Sequence, residues 1–132
     1  MSTYLLAGST SAMAQATASN LIAQGHRVIG LSRSEMPGYS EFHTIASYGF
    51  GSYPVLSEPI DGLVYFPGTI NLKPFHRYTP TEFSNDMEIN TLGAAACIQA
   101  YLGNLKQSSQ ASVVLFSTVA VQAGMPFHAS IA

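Results

Sequence analysis

Gly8, Ser9, Thr10 and Ser11 interrupt the stretch LLAGSTSAMA, residues 5–14, between an apolar run and an alanine-rich one. That order has the form of a strand turning into the first turn of a helix. A helix N-terminus offers unpaired backbone N–H groups and the positive end of its dipole, so such a turn suits a phosphate. Ala12 and Ala14, on either side of Met13, stand where a glycine-rich phosphate loop has further glycines, so a plain strand-to-helix turn is the competing reading. Ser32 and Arg33 end a second strand-like run, HRVIGLS, and a guanidinium there suits a phosphate oxygen. Glu35 lies close enough to offer a carboxylate instead. Asn90 falls on the apolar side of a long helical pattern. A buried amide without partners costs roughly 1–3 kcal/mol, so Asn90 is either a structural clasp or part of a site. Ser117 and Thr118 close the apolar run SVVLFST with two hydroxyls.

The elements that hold these residues are legible from periodicity. A strand is expected over Tyr4 to Ala7 and a helix from about Ala12 to Gln24. Ala14, Ala18, Leu21 and Ile22 share one helix face, and Gly25 sits where a left-handed cap belongs. Leu63 to Phe66 reads as a further strand stopped by Pro67-Gly68. Thr79, Pro80 and Glu82 form a capping box, with the helix running to about Leu105. Its apolar face is Phe83, Met87, Ala94, Ile98, Tyr101 and Leu105. Residues 34–60 have no clean period. They suggest a short strand near Phe42 to Ala46 and one helical turn before Asp61. SVVLFST, unbroken and apolar, suits a strand covered on both faces of a parallel sheet.

Strands alternating with helices predict an α/β fold, a doubly wound parallel sheet in three layers, α/β/α. Ligands bind such sheets beyond the carboxyl ends of the strands. Gly8-Ser9, Ser32-Arg33, Pro67-Gly68 and Ser117-Thr118 all fall at such ends, along one edge.

Composition narrows the function classes. The 132 residues suit one domain, and 47% hydrophobic content argues against disorder. Only 9% are charged, against the roughly 25% of an average chain, which fits a surface partly covered by another copy. Five basic residues, scattered, make no stripe for nucleic acid. No run is long and apolar enough for a membrane span, and no basic-then-apolar leader opens the chain. Cys97 is alone in an apolar helical run and reads as a small buried hydrophobe. A cytoplasmic, homo-oligomeric protein with a small-molecule ligand fits these features. His26 and His43 are isolated, and no His/Cys/Asp cluster has metal-ligand spacing.

In order and spacing, these motifs resemble the N-terminal portion of a short-chain dehydrogenase/reductase. AGSTSAMA stands at the family's TGxxxGxG loop, with Gly8 kept. YFPG stands at its NNAG turn, so Phe66, Pro67 and Gly68 border the cofactor. INTLGAA matches the helix segment carrying the family's asparagine, at Asn90. VVLFSTVA matches the strand carrying its catalytic serine, at Thr118 with Ser117 beside it. The resemblance implies a Rossmann-like domain over residues 1–132, truncated after about the fifth strand. It implies hydride transfer between a nicotinamide cofactor and a carbonyl or alcohol. Gly8, Ser9, Thr10, Ser11, Ala12, Met13, Ser32 and Arg33 would hold that cofactor, Arg33 favouring NADP and Glu35 leaving NAD open. Asn90, Thr118 and Ser117 would be catalytic, and Asn90 would also contact the cofactor. The family's proton-exchanging tyrosine and lysine, in a YxxxK motif, have no counterpart in the chain. Ile131, 13 residues beyond Thr118, stands at the tyrosine's place. His128 is a substitute acid/base or an idle loop histidine. A non-catalytic nucleotide binder, or a fragment, is the alternative to an enzyme. Gly93 to Ala96 make the long helix narrow, which suits a partner helix, and Tyr39, Tyr48 and Tyr53 suit the adenine side.

Overall fold

Leu5 and Ala7 point to one side of the first strand and Leu6 to the other, and all three are fully buried. A strand apolar on both faces needs cover on both, which only helices on either side of a parallel sheet supply. The computed structural model, which describes all 132 residues, has that arrangement. Five parallel strands, β1 (Thr3–Ala7), β2 (Arg27–Ser32), β3 (Glu41–Thr44), β4 (Gly62–Tyr65) and β5 (Ser112–Leu115), form one sheet. Their order is β3-β2-β1-β4-β5. The chain crosses from β1 to β2 on one side and reverses direction across the sheet between β1 and β4. The ends of those two strands therefore flank the switch point where such sheets bind ligands.

One face carries α1 (Ala12–Ala23), with Ala14 and Ala18 buried and Leu6, Val28 and Ala18 forming a small cluster beneath it. Ser11 caps this helix through a 3.1 Å bond from the Ala14 amide to its hydroxyl, and Gly25 beyond it has φ +86°. The other face carries the larger core. There Leu5, Ile29, Leu31 and Leu63 meet Ala94, Cys97, Tyr101 and Leu105 of the long helical segment. That segment is α2 (Pro80–Met87), a π-helical turn over Glu88–Leu92, and α3 (Gly93–Lys106). The Thr79–Glu82 capping box is formed.

Four expectations are corrected here. Phe83 and Met87 are exposed, and the buried side chain of α2 is Asp86. A π turn holds more residues than an α turn, so a strict 3.6-residue projection misplaces the turns before it. Phe83 packs at the surface against Phe75 and Tyr78 instead. Second, Gly93, Ala94 and Ala96 are buried inside the chain, Gly93 against Tyr65, and of that stretch Ala95 alone is open to a partner helix. Third, no helical turn precedes Asp61. Residues 45–61 are irregular but packed: Tyr101 and Asn104 of α3 bond to the carbonyls of Pro54, Leu56 and Glu58 at 2.7–2.9 Å. Tyr48 and Tyr53 join that packing, and Tyr48 also faces the Arg33 guanidinium. Fourth, β5 is exposed along its length; it pairs with β4 at the sheet edge, and neither of its faces is covered.

Asp61 ties the sheet's lower end together. Its carboxylate accepts bonds from the Thr3 amide at 2.8 Å and the Ser108 hydroxyl at 2.7 Å. The Ser108 hydroxyl first, then the Thr3 amide, hold this carboxyl below the ordinary carboxylate range. A folded pKa below the unfolded one gives stability that is present above about pH 4 and lost as pH falls toward the folded value. The thermal midpoint should therefore fall on acidification below about pH 4, and Asp61→Asn should flatten that slope, as read by circular dichroism melts across the range.

Candidate functional site

Gly8 follows β1 with φ +79°, and a Cβ there would meet Pro67 of the turn after β4 at 2.8 Å. The two strand ends thus touch at the switch point, and glycine is what lets them. The Gly8 and Ser9 amides bond to the Leu31 carbonyl at 2.9 and 3.1 Å, which fixes the loop to the end of β2. The Ser9 hydroxyl turns inward to the Leu6 and Leu31 carbonyls, and the Ser11 hydroxyl caps α1. Of the three hydroxyls in the loop only Thr10's stays free. The amides of Thr10, Ala12 and Met13 have no hydrogen-bond acceptor in the chain. Ala12 and Met13 are exposed and Ala14 is buried against the sheet. Alanine at position 12 therefore leaves the helix end open, and alanine at 14 packs where the helix meets the strands. Three unpaired N–H donors in and just before the first turn of a helix match the needs of a pyrophosphate.

Ser32 is buried and Arg33 exposed. The guanidinium lies 5.8 Å from the Tyr48 ring centroid and makes no salt bridge. It borders a cavity of about 190 Å³ with Ser47, Asn85 and Glu88.

A larger cleft, about 480 Å³, opens between the ends of β4 and β5 and the start of α3. Phe66, Pro67, Gly68, Asn90, Ser117 and Thr118 all line it, so the structure brings together the residues expected there. Ile131 lines it too, and His128 does not. The His128 Nδ1 lies 2.6 Å from the Pro126 carbonyl. The Thr118 hydroxyl accepts the Ala120 amide at 3.2 Å, and Ser117 is exposed at the rim.

Asn90 is a clasp. Its Oδ1 accepts the Thr69 amide at 2.7 Å, and its Nδ2 donates to the Thr69 carbonyl at 3.1 Å and to Thr69 Oγ1 at 3.3 Å. The side chain is thereby engaged by the loop after β4. It sits in the π turn, whose irregular ladder frees carbonyls. The Tyr65 hydroxyl donates to the Ile89 carbonyl at 2.6 Å, and the Tyr53 hydroxyl donates to that of Gly93 at 3.2 Å. Burial raises the pKa of both phenols, so they stay protonated donors.

Thr69, Asn71 and Asp86 were invisible to sequence reasoning. Asp86 is 1% exposed, and its Oδ1 accepts the Thr69 hydroxyl at 2.6 Å and the Asn71 amide at 2.9 Å. Burial raises this carboxyl's pKa, but the nearby Ser130 hydroxyl and the bonds from Thr69 and Asn71 outweigh it and leave the group below its ordinary value. An Asp four residues before Asn90 on a helix that buries its core side was the available signal. Burial pushes the Cys97 thiol up to about 12, which removes it as a nucleophile at neutral pH. No group of acidic, His or Cys side chains could hold a metal, and no helix is long and apolar enough to cross a membrane.

Comparison with known proteins places this geometry. The sequence profile described as short chain dehydrogenase matches residues 52–130. No curated protein matches the chain. Among solved structures, a short chain dehydrogenase family protein from Francisella tularensis superposes with a TM-score of 0.84 at 15% identity, over 99% of this chain and 57% of its own. Serine dehydrogenase from Escherichia coli superposes at 0.80 with 16% identity, over 95% and 65%. The aldohexose dehydrogenase of Thermoplasma acidophilum superposes at 0.83 with 15% identity, over 98% and 54%. At these identities the likeness is one of fold. The chain spans less than two thirds of the length of each.

Proposed function

The chain belongs to the short chain dehydrogenase family, and on that premise we propose that it is the dinucleotide-binding part of a nicotinamide-dependent oxidoreductase acting on a carbonyl/alcohol pair. The observation that carries this reading is the trio of unpaired amides, Thr10, Ala12 and Met13, at the N-terminus of α1 beside the β1/β4 switch point. Those amides would hold the pyrophosphate. Gly8 and Pro67 would set the floor on which it rests. Arg33, exposed and unpaired by any carboxylate, would take a ribose 2′-phosphate, which makes NADP the preferred form over NAD. When bound, the nicotinamide supplies the hydride acceptor or donor. Ser117 and Thr118 would orient the substrate oxygen from the cleft rim, and Asn90 would keep the cleft wall in place through Thr69. The low charge content supports a homo-oligomer, and the single cysteine a reducing, cytoplasmic setting.

Arg33→Ser tests the cofactor assignment. It should weaken NADPH binding by roughly ten- to a hundredfold, the worth of a charge-assisted bond to phosphate, and leave NADH binding within about twofold. Equal losses for both would remove Arg33 from the site.

A second reading, nucleotide binding without turnover, is favoured by Ile131 in the cleft, since its side chain has no proton to exchange. Cofactor-dependent turnover that is lost in Thr118→Ala would exclude it.

A further inference from the structure

Asp86 is the one carboxylate in the chain that is fully buried, and it has no cation beside it. Its partners at Oδ1, Thr69 and Asn71, are neutral donors. Its Oδ2 faces the Ser130 hydroxyl without closing a hydrogen bond, and both atoms are buried and unpartnered. The neighbouring carboxylate of Glu82 is already paired with Lys73. A buried charge with neutral partners only is costly to keep, and its field is poorly screened.

That charge sits directly behind the cleft. Thr69 lines the cleft and places its hydroxyl hydrogen on Asp86, so Oγ1 has its lone pairs turned away from the carboxylate. Asn90, also of the cleft wall, grips the same threonine from one turn further along the helical segment. Apart from these groups the cleft is lined by apolar and hydroxyl side chains, and none of its side chains is ionised. Nothing in the lining offsets the negative potential.

We propose that Asp86, acting through Thr69, biases the cleft toward a positively charged ring, so that the oxidised form of a nicotinamide dinucleotide is favoured over the reduced form. This rests on the cofactor reading above. The two forms share adenine, riboses and phosphates and differ by the ring's positive charge. Asp86 is thus a positioning and electrostatic residue, not one that touches the reacting atoms.

The test is the ratio of dissociation constants, reduced over oxidised, measured by calorimetry for the full chain with NADPH and NADP⁺ at one salt concentration. Contacts shared by the two forms cancel in that ratio. Asp86→Asn keeps an oxygen for Thr69 and Asn71 and turns an amide toward Ser130, while removing the charge. The ratio should fall roughly tenfold in this variant, the scale of one poorly screened charge. A ratio unchanged within about twofold, with both forms weakened together, would assign Asp86 to the fold alone and overturn the proposal. Should Asp86→Asn not fold, Asp86→Leu with Thr69→Val and Asn71→Leu removes the charge and both of its donors together, which leaves neither donor without its acceptor, and its ratio must fall likewise. Binding of neither form to the unaltered chain would overturn the cofactor reading and this proposal with it, an outcome distinct from binding with an unchanged ratio.

Discussion

Gly93→Ala should lower the thermal midpoint by about 10 °C, from a loss of about 3 kcal/mol. A Cβ at Gly93 would fall far inside van der Waals contact of the Tyr65 hydroxyl. That hydroxyl holds the Ile89 carbonyl, so the ring has no free space to yield without breaking the bond. Overpacking of this kind costs about 1–3 kcal/mol, and an orphaned buried carbonyl about 1–3 more. The effect should not stop at stability, because Tyr65 anchors the π turn that carries Asn90. Tyr65→Phe removes the colliding oxygen, so the Tyr65→Phe/Gly93→Ala pair should lose less than the sum of the two changes. Additive losses in thermal melts would show that the two residues do not meet.

Gly8→Ala is expected to cost about 3 kcal/mol and to weaken dinucleotide binding by at least about tenfold. Two penalties add there. The backbone is left-handed at φ +79°, worth about 1–2 kcal/mol for an alanine. The new methyl would also press on the ring and backbone nitrogen of Pro67 at 2.8–2.9 Å, and backbone cannot step aside as a side chain can. Gly25→Ala separates the two. It carries a similar φ, +86°, with nothing within 4 Å, and it lies away from the loop. Gly25→Ala should lose only the conformational part and bind dinucleotide normally. Equal behaviour of the two variants would contradict the contact between strand ends.

The strand ends were legible because each is marked by residues whose local physics is strong. Gly8 and Gly25 both take the left-handed backbone. Thr79, Pro80 and Glu82 cap a helix through local bonds alone, and the observed cap has that form. Asn90, Ser117 and Thr118 reach one cleft because parallel strands and their crossovers bring carboxyl ends to one edge. What stayed hidden depends on distant partners. Asp86 looks like a solvated helix residue until Thr69 and Asn71 fold over it. Tyr48 and Tyr53 lie in a segment with no period. Their burial is decided by α3, some forty residues further on. The exposure of β5 was equally unreadable, since an apolar run reports the wish for cover and not the cover itself.

The most direct test of the cofactor-binding account is a fluorescence titration of NADPH and, separately, NADH into the chain, which has no tryptophan to add background. Saturable binding, with NADPH clearly the tighter, is the predicted result: it requires working amides at Thr10, Ala12 and Met13 and a phosphate partner in Arg33. Saturation by neither dinucleotide would contradict the account.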